Sequence, residues 1–344
     1  MGSPLVPATD RAETAALSST GAEARRPLVS VGVPTLNEDR HISACLDSIV
    51  AQGYPGLLEV LVADGGSTDR TREIVLGYGD DRIRLLDNPR RIRPAGLNVA
   101  IGAATGEVFV RVDARTKIAP DYVERCVGAL ERTNAAIVGG PMRYCASNAR
   151  ERGISKAMTS RLGAGPAAFR REGGGGRFVD TVYLGAYRLD KVRALGGYDE
   201  LFGGNEDAEL AYRAQSVGGV YLDPAIVSTY AVREGYRPLW RQFRRYGTNR
   251  AVTIRKHPRS LSARQLAVPA LIAGLASPWR RPVAVAYLAV VAGRALLEAV
   301  QEGPTEAMIM AGALPTMHGA WAAGFFEGIV RGVNHPDPAS PMAS

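Results

Sequence analysis

The stretch LVSVGVPTLNEDRHISACLDSIV, residues 28–50, decides the fold class. Its first part, Leu28 to Val33, is a short apolar run that stops at Pro34, which is typical of a buried strand. From Asn37 to Val50 the apolar residues recur at helical spacing, which predicts a helix directly after the strand. A strand that leads into a helix is the repeating unit of a parallel α/β sheet.

The same alternation of strand and helix recurs between Leu58 and Val112. The predicted strands and helices are, in order, Leu58 to Ala63, Thr71 to Tyr78, Ile83 to Leu86, Gly96 to Ala104 and Val108 to Val112. We therefore predict an open parallel α/β sheet. Ligands of such sheets bind at the carboxyl ends of the strands, so we expect the chemistry to gather there.

Composition and patterning divide the 344 residues into four regions. With 46% hydrophobic and 22% charged residues, the chain lies in the globular range, which excludes wholesale disorder. We predict a disordered tail over residues 1–27, an α/β domain over 28–235, a basic and apolar helical region over 236–334, and a second tail over 335–344. Between Ser147 and Gly176 the patterning fades, which predicts a mobile loop, either a surface insertion or a lid over the site.

The formal net charge of +8 indicates an anionic partner. Basic residues concentrate over Arg82–Arg93 and Arg233–Arg264. A nucleic acid, an acidic membrane surface and a phosphate-bearing substrate all suit this charge. Because neither stretch matches a nucleic-acid-binding motif, we expect no nucleic acid partner and favour an anionic membrane surface.

Apolar runs near the C-terminus bear on where the protein acts. The runs Leu266 to Ala276, Val283 to Val300 and Ala307 to Val330 are all short or interrupted, so packed helices, shallow membrane insertion and imperfect transmembrane helices stay open. Three cysteines without metal-like spacing, four scattered histidines and the lack of a signal-peptide pattern favour a reduced, cytosolic-side protein without a zinc site. We expect a peripheral protein at the cytoplasmic face of the cell membrane.

Two polar motifs follow the first two strands. The first is PTLNE, residues 34–38, in which Asn37 is a candidate cap for the next helix. The second is ADGGSTD, residues 63–69, in which Asp64 follows a buried strand and glycines allow a ligand close to the backbone. Asp64 suits a hydrogen bond from a base or a ribose. The spacing is not GxGxxG, so a dinucleotide-dependent dehydrogenase is not supported.

The third motif, RVDAR over residues 111–115, places Asp113 at the end of a predicted strand. A carboxylate there can hold a hard divalent cation that bridges two phosphates. A second carboxylate is missing, and Arg115 stands nearby. Either Asp113 holds the metal with other ligands, or Arg115 neutralises phosphate charge through a bidentate contact.

The fourth motif, GGNEDAEL over residues 203–210, puts three acids into the start of a predicted helix. Acids in a first turn are favoured by the helix dipole, so capping is one interpretation. The other is general base catalysis, because neighbouring acids raise one another's pKa and a carboxylate can deprotonate an acceptor hydroxyl.

Together these segments resemble family-two glycosyltransferases, which have the GT-A fold, a Rossmann-like nucleotide-binding α/β domain. The segments NPR (88–90), PAGLN (94–98), RVDA (111–114) and VDTVYLGAYR (179–188) are most similar to bacterial succinoglycan-type exopolysaccharide glycosyltransferases. The resemblance extends from about Leu28 to Arg250. It implies a GT-A domain with a helical, membrane-associating C-terminal region.

The resemblance also implies roles for individual residues. The nucleotide-sugar donor, by default a UDP-sugar, would be bound by Pro34, Thr35, Asn37, Glu38, Asp64, Gly96, Asn98, Asp113, Arg115, Gln242 and Arg245. Asp113 would hold Mg²⁺ or Mn²⁺ at the diphosphate. Asp207, beside Glu206, would be the general base of an inverting transfer to a lipid-linked saccharide or a small-molecule acceptor.

The segment QFRRY, residues 242–246, is similar to the Q-x-x-R-W element of membrane polysaccharide synthases, with Tyr246 in place of Trp. Arg245 would steady the leaving diphosphate, although an aromatic stripe on a helix is more often a packing face. Two other functions remain as alternatives: a non-catalytic, membrane-attached nucleotide-sugar-binding protein, and a nucleotidyltransferase that consumes a nucleoside triphosphate.

Overall fold

A computed structural model describes residues 25–164, 174–202, 204–232, 235–261 and 263–331. Most of the predicted N-terminal tail, residues 1–24, and all of the C-terminal tail lie outside the described residues, as do residues 165–173 of the predicted loop and Gly203 of the acidic motif. The described part forms two sheets and a layer of long helices.

The strands belong to a large sheet and a small one. They are β1 (Val29–Thr35), β2 (Leu57–Asp64), β3 (Ile83–Asp87), β4 (Val108–Arg111), β5 (Thr116–Ile118), β6 (Ile137–Gly140), β7 (Met142–Cys145), β8 (Arg177–Val179), β9 (Tyr183–Arg188), β10 (Val220–Leu222) and β11 (Ser228–Ala231). The large sheet has the order β3-β2-β1-β4-β9-β6-β10-β8, and the small one the order β5-β11-β7. Strands β1 to β4 are parallel, as predicted. However, β9 runs antiparallel between β4 and β6, so the sheet is mixed.

The helices cover both faces of the large sheet and form a separate layer. They are α1 (Ile42–Val50), α2 (Thr71–Leu76), α3 (Arg93–Ala103), α4 (Tyr122–Thr133), α5 (Ala149–Thr159), α6 (Arg161–Ala164), α7 (Leu189–Ala194), α8 (Glu206–Ala214), α9 (Tyr236–Lys256), α10 (Ala263–Leu275), α11 (Arg280–Gln301) and α12 (Pro304–Arg331). One apolar core lies between the sheet and α1 and α4, and a second between the sheet and α3, α7 and α8. Helices on both faces leave the strand ends as the accessible edge of the sheet.

The first helix begins later than predicted, at Ile42 instead of Asn37. Asn37 has φ of +55°, in the left-handed region, which a right-handed helix cannot contain. The residue that precedes α1 is His41. The predicted capping role of Asn37 is therefore wrong: its side-chain oxygen accepts a hydrogen bond from the N–H of Thr68, in the neighbouring loop.

The region after Ser147 is more ordered than predicted, because it contains α5 and α6. Asn148 caps α5 by accepting a hydrogen bond from the N–H of Glu151, and the Glu151 carboxylate accepts one from the N–H of Ser147. This arrangement resembles a capping box, except that Glu151 accepts from the residue before the cap, and its spacing is visible in the sequence as Asn-x-x-Glu. The prediction of a loop from Ser147 onward was therefore wrong at its start.

The C-terminal region is helical, as predicted, and packs on α5. Helix α12 lies against α9 and α5 around a third apolar core that includes Ile154, Phe243 and Met317. Glycines allow α9 and α12 to approach closely: a Cβ on Gly324 would lie 1.8 Å from the carbonyl oxygen of Arg244. Since α5 shares this core, helices from both sides of residue 235 pack as one layer, and the predicted domain boundary at that residue stays a prediction.

Candidate active site

The loops that follow β1 and β2 are joined into one wall at the carboxyl edge of the sheet. Ser67 accepts a hydrogen bond at 2.9 Å from the N–H of Asn37, and Asn37 accepts one at 2.8 Å from the N–H of Thr68. Thr35, at the end of β1, is buried beside Asp64 of β2. The structure thus brings the predicted nucleoside residues Thr35, Asn37 and Asp64, with Pro34 just before them, to one place.

Asp64 shapes the loop after β2. Its carboxylate accepts hydrogen bonds at 3.0 Å from the N–H groups of Gly66 and Ser67, and it forms an ion pair at 2.9 Å with Arg72. Its side chain is fully buried. These contacts hold the glycine turn in position. The predicted hydrogen bond from a base or ribose to Asp64 would be an additional contact.

The centre of the site is a buried group of two arginines and two acids. Arg111, at the end of β4, donates to both carboxylate oxygens of Asp113, at 2.8 and 3.2 Å, and to Glu206 at 3.0 Å. Arg93, from the start of α3, donates to the same oxygen of Glu206 at 3.2 Å. These contacts join β4, α3 and α8. We call Arg93, Arg111, Asp113 and Glu206 the arginine–acid cluster.

Sequence reasoning missed Arg93 and Arg111 as site residues. The side chain of Arg111 is only 3% exposed, so its charge has to be balanced inside the protein. It also lies over the ring of Tyr198, 5.7 Å from the ring centre. The available signal was an arginine directly after the apolar run Val108–Val110, where a buried strand would ordinarily continue.

The cluster separates the pKa values of the acids around it. Burial opposes ionisation of Asp113 and Glu206, but Arg111 and Arg93 hold the pKa of both carboxyls below their usual values. For Asp207, burial and the negative charge of Glu206 raise the pKa, and the more distant arginines offset this only in part. Two adjacent acids with pKa values pushed apart suit different roles, one as a permanent anion and the other as a proton acceptor.

Asp207 and Glu206 open α8, after Asn205 in the left-handed conformation with φ of +63°. Glu206 is buried within the arginine–acid cluster. Asp207 is more exposed, and its carboxylate accepts a hydrogen bond at 2.8 Å from the N–H of Ala208. The start of the helix therefore points one carboxylate inward and leaves the other partly exposed.

Arg115 contacts the loop after β1. Its Nε donates to both carboxylate oxygens of Glu38 at 3.0 Å, and Glu38 is buried. This pair connects the segment after β4 with the predicted nucleoside wall. Arg115 thus lies between the two predicted donor-binding segments.

Gly96 and Asn98 hold α3 in place. A Cβ on Gly96 would lie 3.0 Å from Nδ2 of Asn88, so glycine allows α3 to pack closely. Asn98 donates to the carbonyl of Tyr198 and accepts from its N–H, both at 2.8 Å. Their predicted role in binding the donor stays a prediction; the contacts that the structure shows for them join parts of the protein.

Helix α9 brings the QFRRY segment to the acidic motif. A Cβ on Gly204 would lie 3.0 Å from Nδ2 of Asn249 and 3.5 Å from Cδ and Nε of Arg245. Gln242, one turn earlier, donates to the hydroxyl of Tyr246 at 2.8 Å. The face of α9 that carries Arg245 and Asn249 therefore packs on the loop that positions Asp207.

A second ionic group fastens α8 to the end of α9. Glu209 is fully buried and accepts hydrogen bonds from three basic residues, Arg213, Lys256 and His257. We call these four residues the Glu209 cluster. Although burial opposes its charge, the hydrogen bonds lower the pKa of Glu209 to about 2.

The predicted metal has one candidate ligand at this site, Asp113. Within the described ranges no three His, Cys, Asp or Glu side chains gather into a metal-binding group. A divalent cation often takes only one or two carboxylates and completes its shell with phosphate oxygens and water, so Asp113 fits this arrangement. Arg111 donates one hydrogen bond to each Asp113 oxygen, so the cation would bind through the lone pairs that remain on that carboxylate.

Comparisons with known proteins identify the family of the chain. The model of the family described as "Glycosyl transferase family 2" matches residues 30–193. The chain is 33% identical over 308 residues to the succinoglycan biosynthesis protein ExoA of Rhizobium meliloti, covering 86% of this chain and 93% of that protein. It is also 27% identical to the dolichyl N-acetyl-alpha-D-glucosaminyl phosphate 3-beta-D-2,3-diacetamido-2,3-dideoxy-beta-D-glucuronosyltransferase of Methanococcus voltae, covering 66% of this chain and 74% of that protein.

Among solved structures, the mannosyltransferase PcManGT of Pyrobaculum calidifontis in complex with GDP-Man and Mn²⁺ is similar over nearly the whole chain. The TM-score is 0.58 at 26% identity, and the match covers 90% of this chain and 89% of that one. The predicted GT-A α/β fold and the predicted resemblance to succinoglycan-type enzymes are thereby confirmed. The chain belongs to glycosyl transferase family 2 and is a glycosyltransferase.

Proposed function

We propose that this glycosyltransferase moves a sugar from a nucleotide-sugar donor, by default a UDP-sugar, to a hydroxyl of a lipid-linked saccharide, with inversion and with Asp207 as general base. One observation carries the proposal: Asp207 opens α8 with a raised pKa, directly beside the arginine–acid cluster. A proton acceptor next to a concentrated positive charge suits a reaction that deprotonates a hydroxyl while a diphosphate leaves.

The donor side of the proposal rests on the basic residues around Asp113. Arg93, Arg111 and Arg115 converge on the carboxyl edge of the sheet, where the loops after β1 and β2 form the wall for a nucleoside. Guanidinium groups suit phosphate through paired hydrogen bonds. Mg²⁺ or Mn²⁺ held by Asp113 would add further positive charge at the diphosphate.

The transfer itself requires one bond to form as another breaks. The acceptor oxygen would form a bond to the anomeric carbon as the bond from that carbon to the diphosphate oxygen breaks. The hydroxyl proton would pass to the Asp207 carboxylate, and the electron pair of the broken bond would leave with the nucleoside diphosphate. Attack opposite to the leaving group inverts the anomeric centre, so an α-linked donor would give a β-linked product.

A lipid-linked acceptor is supported by the relatives and by the helical layer. The Methanococcus voltae relative has a dolichyl phosphate-linked sugar in its name. Helix α11 is long and apolar enough to cross a membrane, the one such helix in the part of the chain that the structure describes. Together with the succinoglycan relative, it suggests association with a membrane, for which we propose the cytoplasmic face.

The test compares Asp207→Asn with Asp81→Asn, a matched change at an exposed acid just before the amino end of β3. We expect Asp207→Asn to abolish sugar transfer and keep nucleotide-induced thermal stabilisation, because the change removes the base and preserves the side-chain shape. Asp81→Asn should keep both. Wild-type turnover in Asp207→Asn would refute the role of this residue.

The same assay separates the alternatives. A nucleotidyltransferase would release pyrophosphate from a nucleoside triphosphate and a sugar phosphate. A non-catalytic binding protein would be stabilised by a nucleotide sugar but would not transfer its sugar to any acceptor. We expect release of a nucleoside diphosphate from a nucleotide sugar instead.

A further inference from the structure

Helix α11 has its polar and apolar faces reversed relative to a helix on a water-soluble surface. Its outward side chains are apolar from Val285 to Val300, and the large ones are between 52% and 81% exposed. They are Val285, Leu288, Val290, Leu296, Leu297 and Val300. A surface helix in water ordinarily presents its charged face outward and buries its apolar stripe.

Three polar residues inside α11, Tyr287, Arg294 and Glu298, find partners within the protein. The hydroxyl of Tyr287 lies 2.8 Å from Nδ1 of His318 in α12. Glu298 is fully buried, where it pairs with Arg294 at 2.8 Å and with Lys156 of α5 at 3.5 Å. Ionisable groups turned inward and apolar groups turned outward are what a hydrocarbon environment selects.

The residues next to this face suit an anionic lipid surface. Trp279, 72% exposed, directly precedes α11, and the exposed Arg280 and Arg281 are the first two residues of that helix. Tryptophan favours the interface between water and lipid, and arginine is attracted to anionic headgroups. The net charge of the whole chain, +8, has the same sign.

The packing indicates a helix that lies along a leaflet. Helix α11 packs on one side against α12, and Lys156 of α5 pairs with Glu298 near the end of α11, so spanning the bilayer would bring this ion pair towards the hydrocarbon. The preceding helix α10 has 13 residues, or about 20 Å, which is shorter than the roughly 30 Å of a bilayer core.

We propose that the outward face of α11, together with Trp279, Arg280 and Arg281, docks on one leaflet of an anionic phospholipid bilayer without crossing it. This surface deepens the proposed function, since a lipid-linked acceptor is reached from such a position. The binding itself needs no catalysis. It is an in-plane attachment by an apolar helix face with a basic and aromatic edge.

The first test is flotation with vesicles of phosphatidylcholine and phosphatidylglycerol. Leu296→Glu removes an outward side chain of α11 that is 69% exposed, and Leu76→Glu is a matched control on α2 that is 72% exposed. We expect Leu296→Glu to weaken vesicle binding about tenfold or more, as losing one buried leucine would, and Leu76→Glu to leave it unchanged. Equal binding by the wild type and Leu296→Glu would overturn the proposal.

A second copy of the chain is the other possible occupant of this face. If it were the true one, the wild type would be a dimer without vesicles, Leu296→Glu would be a monomer, and both would bind vesicles equally; that outcome overturns the proposal. A monomeric wild type that loses vesicle binding on Leu296→Glu supports it. Size-exclusion chromatography with light scattering gives the oligomeric state.

Labelling distinguishes lying along the leaflet from crossing it. Ser277→Cys places a thiol at the turn before α11, in a background where the exposed Cys145 is changed to Ser and the other two cysteines are buried. We expect an impermeant maleimide added outside the vesicles to label it, and protection until detergent is added would show crossing. Asp207→Asn should float like the wild type. The proposed catalytic role and the proposed lipid docking can therefore be refuted separately.

Discussion

Glu206→Gln and Arg111→Met should shift the pH dependence of turnover in opposite directions. Asp207 acts as a base only when it is ionised, so the rate falls as the pH drops through its pKa. Glu206 raises that pKa and Arg111 lowers it. Removing the charge of Glu206 should therefore move the acid limb of the profile to lower pH, and removing that of Arg111 should move it to higher pH.

The two changes should also differ in their effect on stability. Arg111→Met leaves Asp113 without its bidentate partner and leaves Glu206 with Arg93 at 3.2 Å. Breaking a buried ion pair costs about 3–5 kcal/mol, and because one partner remains we expect a loss of about 3 kcal/mol. Glu206→Gln keeps an acceptor for both arginines, so we expect a loss of about 1–2 kcal/mol.

The assay is the initial rate at saturating donor and acceptor over the pH range in which each variant stays folded, with the free energy of unfolding from urea titration. Arg84→Met is the control, because Arg84 pairs with Glu59 at 2.9 Å near the edge of the sheet and is half exposed. It should keep the wild-type pH profile. Acid limbs that move in the same direction, or that do not move, would refute the assignment of Asp207 as the titrating base.

Three further outcomes are expected. Gly204→Ala should lower kcat with little loss of stability, since its Cβ would lie 3.0 Å from Nδ2 of Asn249, and adding Asn249→Ala should restore turnover; no rescue would contradict the packing argument. Glu209→Gln should cost about 3 kcal/mol at neutral pH, because the pKa of Glu209 is lowered from 4.5 to about 2. A carboxyl whose pKa is lowered by folding stabilises the protein at pH values above its pKa in the unfolded chain. In urea titrations the difference in unfolding free energy between wild type and Glu209→Gln should therefore shrink as the pH falls from 4.5 towards 2, and a constant difference would count against this explanation. Asp113→Asn should remove the Mn²⁺-dependent part of the thermal stabilisation by a nucleotide sugar, whereas Arg115→Met should weaken the metal-independent part; unchanged shifts in Asp113→Asn would move the phosphate role to the arginines.

Apolar runs and their spacing were enough to predict the sheet through β4, because a buried strand needs a continuous apolar sequence and this is a local property. The same reasoning placed the four polar motifs after strands or at a helix start. It failed where backbone conformation was decided by contacts from elsewhere. Asn37 takes a left-handed conformation that the hydrogen bonds to the next loop stabilise, and those partners lie 30 or 31 residues away.

The sequence by itself determined the α/β class, the family and the positions of Asp113, Glu206 and Asp207, since each of these depends on a short run of neighbouring residues. Only the tertiary structure decided how these acids differ, because Glu206 meets Arg111 and Arg93 across 95 and 113 residues of chain. Likewise, the apolar composition of α11 is visible in the sequence. Which of its faces packs on α12, and which stays exposed, is settled by long-range packing alone.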